Sequence, residues 1–451
     1  MTVPEGVLAA AIRGLAVALL LAYVAPAAAR AATRQPWHWG LLLLPLFTPS
    51  LLVGTCYSGL LHGAAGEPCY VLLLATRLLP IAALLAAWLP GPPIDRRAHH
   101  CARMMGGPRG TGLALRGPVR NRAVVGAVTF CLAFAEFELA SLGARPTWTV
   151  WLFDAQTGGL PLAETLRAAV VPVLIETGVL GSAVVWLVVS GAGPAEPAGD
   201  PPWHAALWSW IAVAVAVLLP GATLARGLSD LRGQLQFGTE LGHGALLAGA
   251  AAASASGMAV LLPRRVLAWL SLPGLLGGLV LGLGIQSLFQ LPGLQPAYDT
   301  PLPLLVGWTL LLLPIGALLL GVTARMVPAA AVHQCALLAA AKDATPRRAA
   351  GRIHFALSGI RHAGAVGVLF ATAFFEVVAA DLLAPASMTP AAPRLYNLLH
   401  YGQSAGLAAM VLWMCGTAVA ACTVLTAGWR ALARPPALRI GGPLSRSSAA
   451  P

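Results

Sequence analysis

Apolar residues in this chain come in repeated runs of about twenty, the length that an α-helix needs to cross a hydrocarbon core of roughly 30 Å. Proline, glycine and charged residues separate the runs. The pattern predicts eleven membrane spans, near residues 8–29, 38–61, 69–90, 123–143, 168–190, 205–226, 243–262, 267–289, 302–324, 363–384 and 405–429. The expected fold is therefore all-α, a polytopic transmembrane helical bundle.

Composition supports a membrane protein and argues against a soluble one. Of the 451 residues, 58% are hydrophobic and 10% are charged, whereas soluble domains carry about a quarter of their residues as charged types. The net charge of +12 comes from arginines in short loops between apolar runs, without the interleaved aromatic residues of a nucleic-acid surface. We therefore expect the lipid bilayer, and no nucleic acid, as a partner.

The positive charge also predicts an orientation, because basic residues collect in cytoplasmic loops. They gather in alternate loops, at residues 30–34, 96–122, 264–265, 325–361 and from 430 onward. One alternating path satisfies all of these positions. It places the N-terminus outside and the C-terminus inside a cytoplasmic (inner) membrane.

Neither a cofactor nor an enzymatic centre is indicated. The seven cysteines are scattered, with no Cys-x-x-Cys pair and no histidine at ligand spacing, so no metal site is expected. A phosphate-binding loop needs Gly-x-x-x-x-Gly-Lys-Ser/Thr, but the single lysine, Lys342, follows Ala341. Any use of ATP would need separate subunits.

An internal repeat organises the chain. Residues 78–85 (LLPIAALL) recur as 312–319 (LLPIGALL), and residues 100–102 recur as 334–336, both 234 positions later. The pattern Phe-x-x-Ala-Phe-x-Glu at 130–136 recurs at 370–376, 240 positions later. The matches keep their order and place both long basic loops on one side, so the repeat is predicted to be parallel.

The repeat defines the predicted domains. Residues 1–190 form a first unit of five spans that lacks the first helix of the repeat, and residues 205–432 form a second unit of six spans. A Pro/Gly-rich cytoplasmic linker, 191–204, joins them, and a cytoplasmic tail, 433–451, follows. The first apolar run pairs with residues near 242–263, a full span, which argues that it is a membrane helix rather than a cleaved signal.

With these features the sequence resembles the permease component of binding-protein-dependent ABC importers, especially the fused two-unit ferric iron and thiamine type. In that family each unit carries a cytoplasmic loop with Glu-Ala-Ala, three residues, Gly, nine residues and Ile-x-Leu-Pro. In the second loop, the spacing places Leu337, Leu338 and Ala339 at Glu-Ala-Ala, Asp343 at Gly, and Ile353 and Phe355 at Ile and Leu.

The first loop matches the same motif over a shorter length. His100, Cys101 and Ala102 occupy the Glu-Ala-Ala positions and Gly106 the glycine, with Leu113 and Leu115 following early. The internal repeat instead aligns Gly106 with Ala340, so two registers stay open. The signature glutamate is absent from both loops.

The resemblance implies the type I importer permease fold and a transport component that is not itself an enzyme. It implies two ABC ATPase subunits bound at the cytoplasmic loops and an extracytoplasmic solute-binding protein, with ferric iron or another small solute as cargo. The alternatives are a secondary transporter with parallel repeats and a permease-derived membrane protein that has lost transport.

Acidic residues inside the predicted spans are candidates for the transport pathway, because a charge within the membrane is costly. These are Glu136 and Glu376, with Glu138 and Glu176 as further cases. The competing interpretation is a hydrogen bond between helices or a protonated carboxyl. In either case the side chains should face protein or a water-filled cavity.

Overall fold

The structure is a computed structural model that describes residues 6–63, 65–89, 104, 119, 121–189, 204–224, 237–327, 329–340, 344–400 and 404–433. The predicted linker 191–204 and tail 433–451 lie outside this part of the chain, apart from one residue of each. Within it, the elements are α- and 3₁₀-helices and one π-helical turn. A single buried core, with smaller clusters beside it, joins helices from both halves.

In the N-terminal half the helices follow one another as α1 Val7–Arg34, α2 Trp37–Leu43, α3 Ser50–Cys56, α4 Ser58–Leu61, α5 Gly66–Trp88, α6 Asn121–Phe134, α7 Glu138–Leu142, α8 Trp148–Thr157 and α9 Leu162–Val189. A 3₁₀ turn, Leu44–Phe47, extends α2.

The C-terminal half begins with α10 His204–Val213, a π-helical turn Ala214–Leu218 and α11 Leu219–Leu224, which together make one span. It continues with α12 Gly238–Leu261, α13 Arg264–Leu275, α14 Gly277–Phe289, α15 Leu302–Arg325, α16 Ala329–Ala339, α17 Ala344–Phe374, α18 Val378–Leu383, α19 Ala391–His400 and α20 Ser404–Ala433.

Eight of the described helices are long and apolar enough to cross a membrane, and two bent helix pairs raise the number to ten. The expected all-α membrane bundle is confirmed at this level. The bent pairs are the predicted runs 38–61 and 267–289, which turn by 78° and 100°. The first turns at Pro49, which starts α3, and the second at Gly277, whose φ of +85° favours glycine.

Two further predicted spans, 123–143 and 363–384, are placed only in part. Leu357–Phe374 is a candidate span and Asn121–Phe134 is a shorter apolar helix, so the predicted extension of both helices to residues 143 and 384 was wrong. Their long helices end at Phe134 and Phe374, and the chain turns before the short helices α7 and α18 begin. Glu136 and Glu376 therefore lie in turns rather than in helices. Their carboxylates take the first amides of the short helices, which stabilises the break.

Side-chain contacts fix how the chain passes through the bundle. Arg13 near the start of α1 pairs with Glu67 at the start of α5, so these two helices begin on the same side. The segment between them must return the chain across the bundle. At the opposite ends, the Arg325 guanidinium donates to the Ala87 carbonyl at 3.1 Å, which joins the ends of α15 and α5.

The span α10–α11 packs against the N-terminal half, on α1, α2, α3 and α5. Its π-helical turn leaves the Val215 carbonyl accessible, and the Tyr57 hydroxyl donates to it at 2.9 Å. The rings of Tyr23 and His204 stack at 6.2 Å between centroids. The two halves of the chain therefore share packed helices and do not form separate bundles.

Candidate functional site

Glu136 sits in the turn between α6 and α7 and accepts three hydrogen bonds. The amides of Leu139 and Ala140 donate at 2.6 and 3.1 Å, and the Tyr70 hydroxyl of α5 donates at 2.9 Å. The two amides belong to the first turn of α7 and have no helical partner of their own. The carboxylate therefore caps a short helix and ties it to α5.

Glu376 is held in the same way between α17 and α18. The amides of Ala379 and Ala380 donate at 2.8 and 3.1 Å, and the Trp308 indole N–H of α15 donates at 2.9 Å. We call Glu136, Glu376, Tyr70 and Trp308 the paired-glutamate site. Three donors therefore hold each carboxylate in a fixed position, although neither glutamate is fully buried.

The aromatic side chains before each turn are also arranged alike. Phe130 stacks on Phe134 with 5.5 Å between ring centroids and 11° between planes. Phe370 stacks on Phe374 with 5.4 Å and 15°. Each stack lies on the last helical turn before a glutamate. The two turns are therefore alike in their aromatic side chains as well as in their glutamates.

The bend between α13 and α14 brings the two turns close together. A Cβ atom on Gly277 would lie 2.9 Å from the Cβ of Ala135, beside Glu136 in sequence, and one on Gly278 would lie 2.7 Å from Glu376 Oε1. Glycine is needed here because backbone approaches both turns closely. The bent pair of the C-terminal half thus lies against the paired-glutamate site.

Glu138 and Arg77 lie beside the site in the N-terminal half. Glu138, the first residue of α7, interacts with the Ser50 side chain, the Val377 backbone amide and the positive charge of Arg77. Arg77 lies in the middle of α5 and donates to the Thr48 carbonyl at 2.8 Å, at the bend between α2 and α3. Both side chains therefore have polar contacts within the bundle.

A second ionic network joins α1, α5 and the loop before α8. Arg13, which is 7% exposed, binds both Glu67 oxygens at 2.7 Å. Arg145 also binds Glu67, at 2.8 Å, and donates to the Leu61 carbonyl. The Arg13 guanidinium lies 5.5 Å from the centre of the Tyr70 ring, which connects this network to the paired-glutamate site.

Only some of the residues expected to contact an ATPase are among those that the structure describes. His100, Cys101, Ala102, Gly106, Leu113, Leu115 and Asp343 lie outside the described residues. On α16, which packs against α17, Leu337 is 60% exposed, Ala339 is exposed and Leu338 is half-buried. On α17, Ile353 is 43% exposed, whereas Phe355 is half-buried and stacks on Trp429 of α20 at 4.7 Å.

Sequence reasoning missed the donors Tyr70 and Trp308 and the network around Arg13. Arg13 lies inside the first apolar run, and a charge in a span needs a partner. The sequence therefore contained a signal for an ionic network at this position. The two aromatic donors gave no such signal. Among the described residues, no group of three or more His, Cys, Asp or Glu side chains is arranged to hold a metal ion.

No family model, curated protein or solved structure matches this chain. Its class, a multi-pass helical membrane protein, follows from its own apolar helices. Any finer assignment rests on the sequence resemblance and on the geometry above.

Proposed function

We propose that the chain is the permease of an ATP-driven importer, with both transmembrane units fused in one polypeptide. Separate ATPase subunits would bind its cytoplasmic loops, and an extracytoplasmic binding protein would deliver the solute. The observation that carries the proposal is that Glu136 and Glu376 accept the same set of hydrogen bonds, two from helix-start amides and one from a side chain of a distant span. A doubled permease offers one equivalent contact to each of two motor subunits.

The order of elements supports the duplication. Helices α1 and α5 pair with α12 and α15 at the offset of the sequence repeat, and a bent pair lies between them in each case. Helix α1 packs along α5, and α12 packs along α15. After each glutamate turn comes the same series: a short helix, a second helix of ten residues and a long apolar helix.

The two proposed units contact each other beside the first glutamate turn. The Tyr396 ring of α19 lies 6.3 Å from the rings of Phe137 and Phe153 in the N-terminal half. The Tyr396 hydroxyl is 3.4 Å from the Ser141 hydroxyl. This small contact involves α7. Movement of one unit against the other would therefore shift α7 and the Glu136 turn that precedes it.

The exposed apolar side of α16 supports a motor contact. Leu337 and Ala339 lack cover within the described residues, and an exposed leucine on a short helix beside basic residues suits a groove on a nucleotide-binding partner. Together with α17, α16 would transmit closure of that partner to the spans as a rigid body. Ferric iron as the cargo rests on the sequence resemblance.

Reconstitution tests this proposal. The chain, purified from its native membrane with its associated subunits, is placed in proteoliposomes and solute uptake is followed with ATP on the cytoplasmic side. We expect uptake to require ATP hydrolysis. Uptake by the purified chain alone, driven by a proton or sodium gradient, would show a secondary transporter instead.

A variant pair on α16 sharpens the test. Leu337→Asn should lower ATP-driven uptake by removing an apolar contact, while Val332→Asn serves as the control. Val332 is also exposed, but five residues along a helix place it about 140° around the axis. Equal uptake by the two variants would argue against a motor contact at Leu337.

A further inference from the structure

Glu176 in α9 differs from every other acidic residue described within the bundle. Its relative exposure is 0%, and neither of its carboxyl oxygens has a hydrogen-bond partner among the residues that the structure describes. Glu136 and Glu376 each accept three hydrogen bonds, and Glu67 is bound by two arginines. A buried carboxyl without donors has no means of compensating a negative charge.

Among the described residues, no cation lies against the Glu176 carboxyl. Arg167 of the same helix is exposed and nine residues away, which places it on the opposite side of α9. Helix α6 contributes the Cys131 thiol, which donates to the Glu176 backbone carbonyl at 3.8 Å, and an exposed Arg122 at its start. Among the other elements packed on α9, α14 has no titratable residue. Helix α8 has exposed Asp154, and α13 has Arg264 and exposed Arg265 at its first turn.

An isolated carboxylate in this place would be strongly disfavoured, because burial of an unpaired charge costs several kcal/mol or more. The neutral acid loses far less on burial. We propose that Glu176 is a proton-binding site, occupied in the conformation described here.

The helix that carries Glu176 packs against the other proposed unit, so the proton could affect that contact. Helix α9 packs on α13 and α14, and Ala169 shares a buried cluster with Leu279 and Leu283 of α14. In the proposed duplication this is a seam between the two units. Glu176 follows Ala169 by seven residues, which places both on the same side of α9. Loss of the proton would require water to reach the carboxylate, so ionisation favours opening of this contact and protonation favours its closure.

We call this proton-dependent contact between α9 and α14 the latch. Its role in a transport cycle rests on the proposed function. The proton site itself does not depend on transport. It can therefore be tested on the chain alone, in nanodiscs without an ATPase, and its failure would leave the importer proposal standing.

Infrared difference spectroscopy reads the protonation state directly. The spectrum of the wild type minus Glu176→Gln, at neutral pH, should contain the carbonyl stretch of a protonated carboxyl. The control, wild type minus Glu164→Gln, should contain carboxylate bands, since Glu164 is exposed in the first turn of the same helix. A Glu176 difference made only of carboxylate bands would overturn the proposal.

Crosslinking tests the latch. In a background without native cysteines, Ala169→Cys and Leu283→Cys are crosslinked at increasing pH. The yield, taken relative to the same pair with Glu176→Gln, should fall several-fold as the pH rises. A constant ratio would overturn the latch.

If Glu176→Gln does not fold, mapping of an apolar carbodiimide on the wild type decides the matter. The acid gives its proton to a carbodiimide nitrogen, and its oxygen bonds to the central carbon. The product rearranges to an N-acylurea. Modification of Glu176 with Glu164 unmodified supports the site, and the reverse pattern overturns it.

Discussion

Glu136 in the N-terminal half accepts the same three hydrogen bonds as Glu376 in the C-terminal half. Each carboxylate takes two amides from the helix that follows and one side-chain donor from a distant span. Tyr70 fills the donor position in one half and Trp308 in the other. Two different residue types thus serve one geometry.

Removal of either carboxylate should destabilise the protein by similar amounts. Glu136→Ala and Glu376→Ala each leave two helix-start amides and an aromatic donor without an acceptor, a loss of roughly 3 kcal/mol. Thermal unfolding in nanodiscs measures it, with Glu164→Ala as an exposed control. A large loss at one glutamate and none at the other would argue against equivalent roles.

The aromatic donors should couple to their glutamates. In a double-mutant cycle, Tyr70→Phe and Glu136→Gln are expected to show an interaction free energy of about 1 kcal/mol, since both act on one hydrogen bond. Pairing Tyr70→Phe with Glu376→Gln provides the control, because the side-chain donor to Glu376 is Trp308. Coupling of the same size in both cycles would contradict a specific bond.

The network around Arg13 predicts an asymmetry between single and double changes. Glu67→Gln takes the bidentate carboxylate from the buried Arg13, which keeps its bond to the Pro146 carbonyl. Because Glu67 is itself half-exposed, a loss of about 1–2 kcal/mol is expected. Arg13→Met combined with Glu67→Met should recover part of this loss, because the buried Arg13 charge is gone, although Arg145 still loses its ion pair. Chemical unfolding compares the variants; a double variant less stable than Glu67→Gln would refute the explanation.

Gly277 and Gly284 should respond in opposite directions to the same change. Gly277→Ala puts a side chain at φ +85° and against Ala135, so the bend between α13 and α14 should be destabilised by roughly 1–2 kcal/mol. Gly284 lies inside α14 with open space around it, and alanine there should stabilise the helix by about 0.5–1 kcal/mol. Thermal unfolding distinguishes the two, and equal shifts would contradict a required glycine at the bend.

Hydrophobic run length was enough to predict where the long helices lie. The helix α15, Leu302–Arg325, matches the run 302–324 almost residue for residue, because a span must be apolar over its whole length. The turn at Glu136 was not predictable in this way. The residues on both sides of it are apolar, so the run continues in sequence although the backbone turns.

The candidate site was predictable only in its acidic members. Glu136 and Glu376 attract attention as charges inside apolar runs. Their donors lie 66 and 68 residues away, and packing of the spans alone decides which helix faces which. The loop residues of the family motif depend on the resemblance, and the described part of that loop shows Leu337 outward and Phe355 against Trp429.

The parallel, doubled arrangement is tested most directly by the side of the membrane on which the two basic loops lie. Met104→Cys and Leu337→Cys, each in a background without native cysteines, are treated with a membrane-impermeant maleimide in right-side-out and inverted vesicles. Both positions should react only in inverted vesicles, where the cytoplasmic side faces the reagent. Reaction of one position in each vesicle type would put the loops on opposite sides and contradict the duplication.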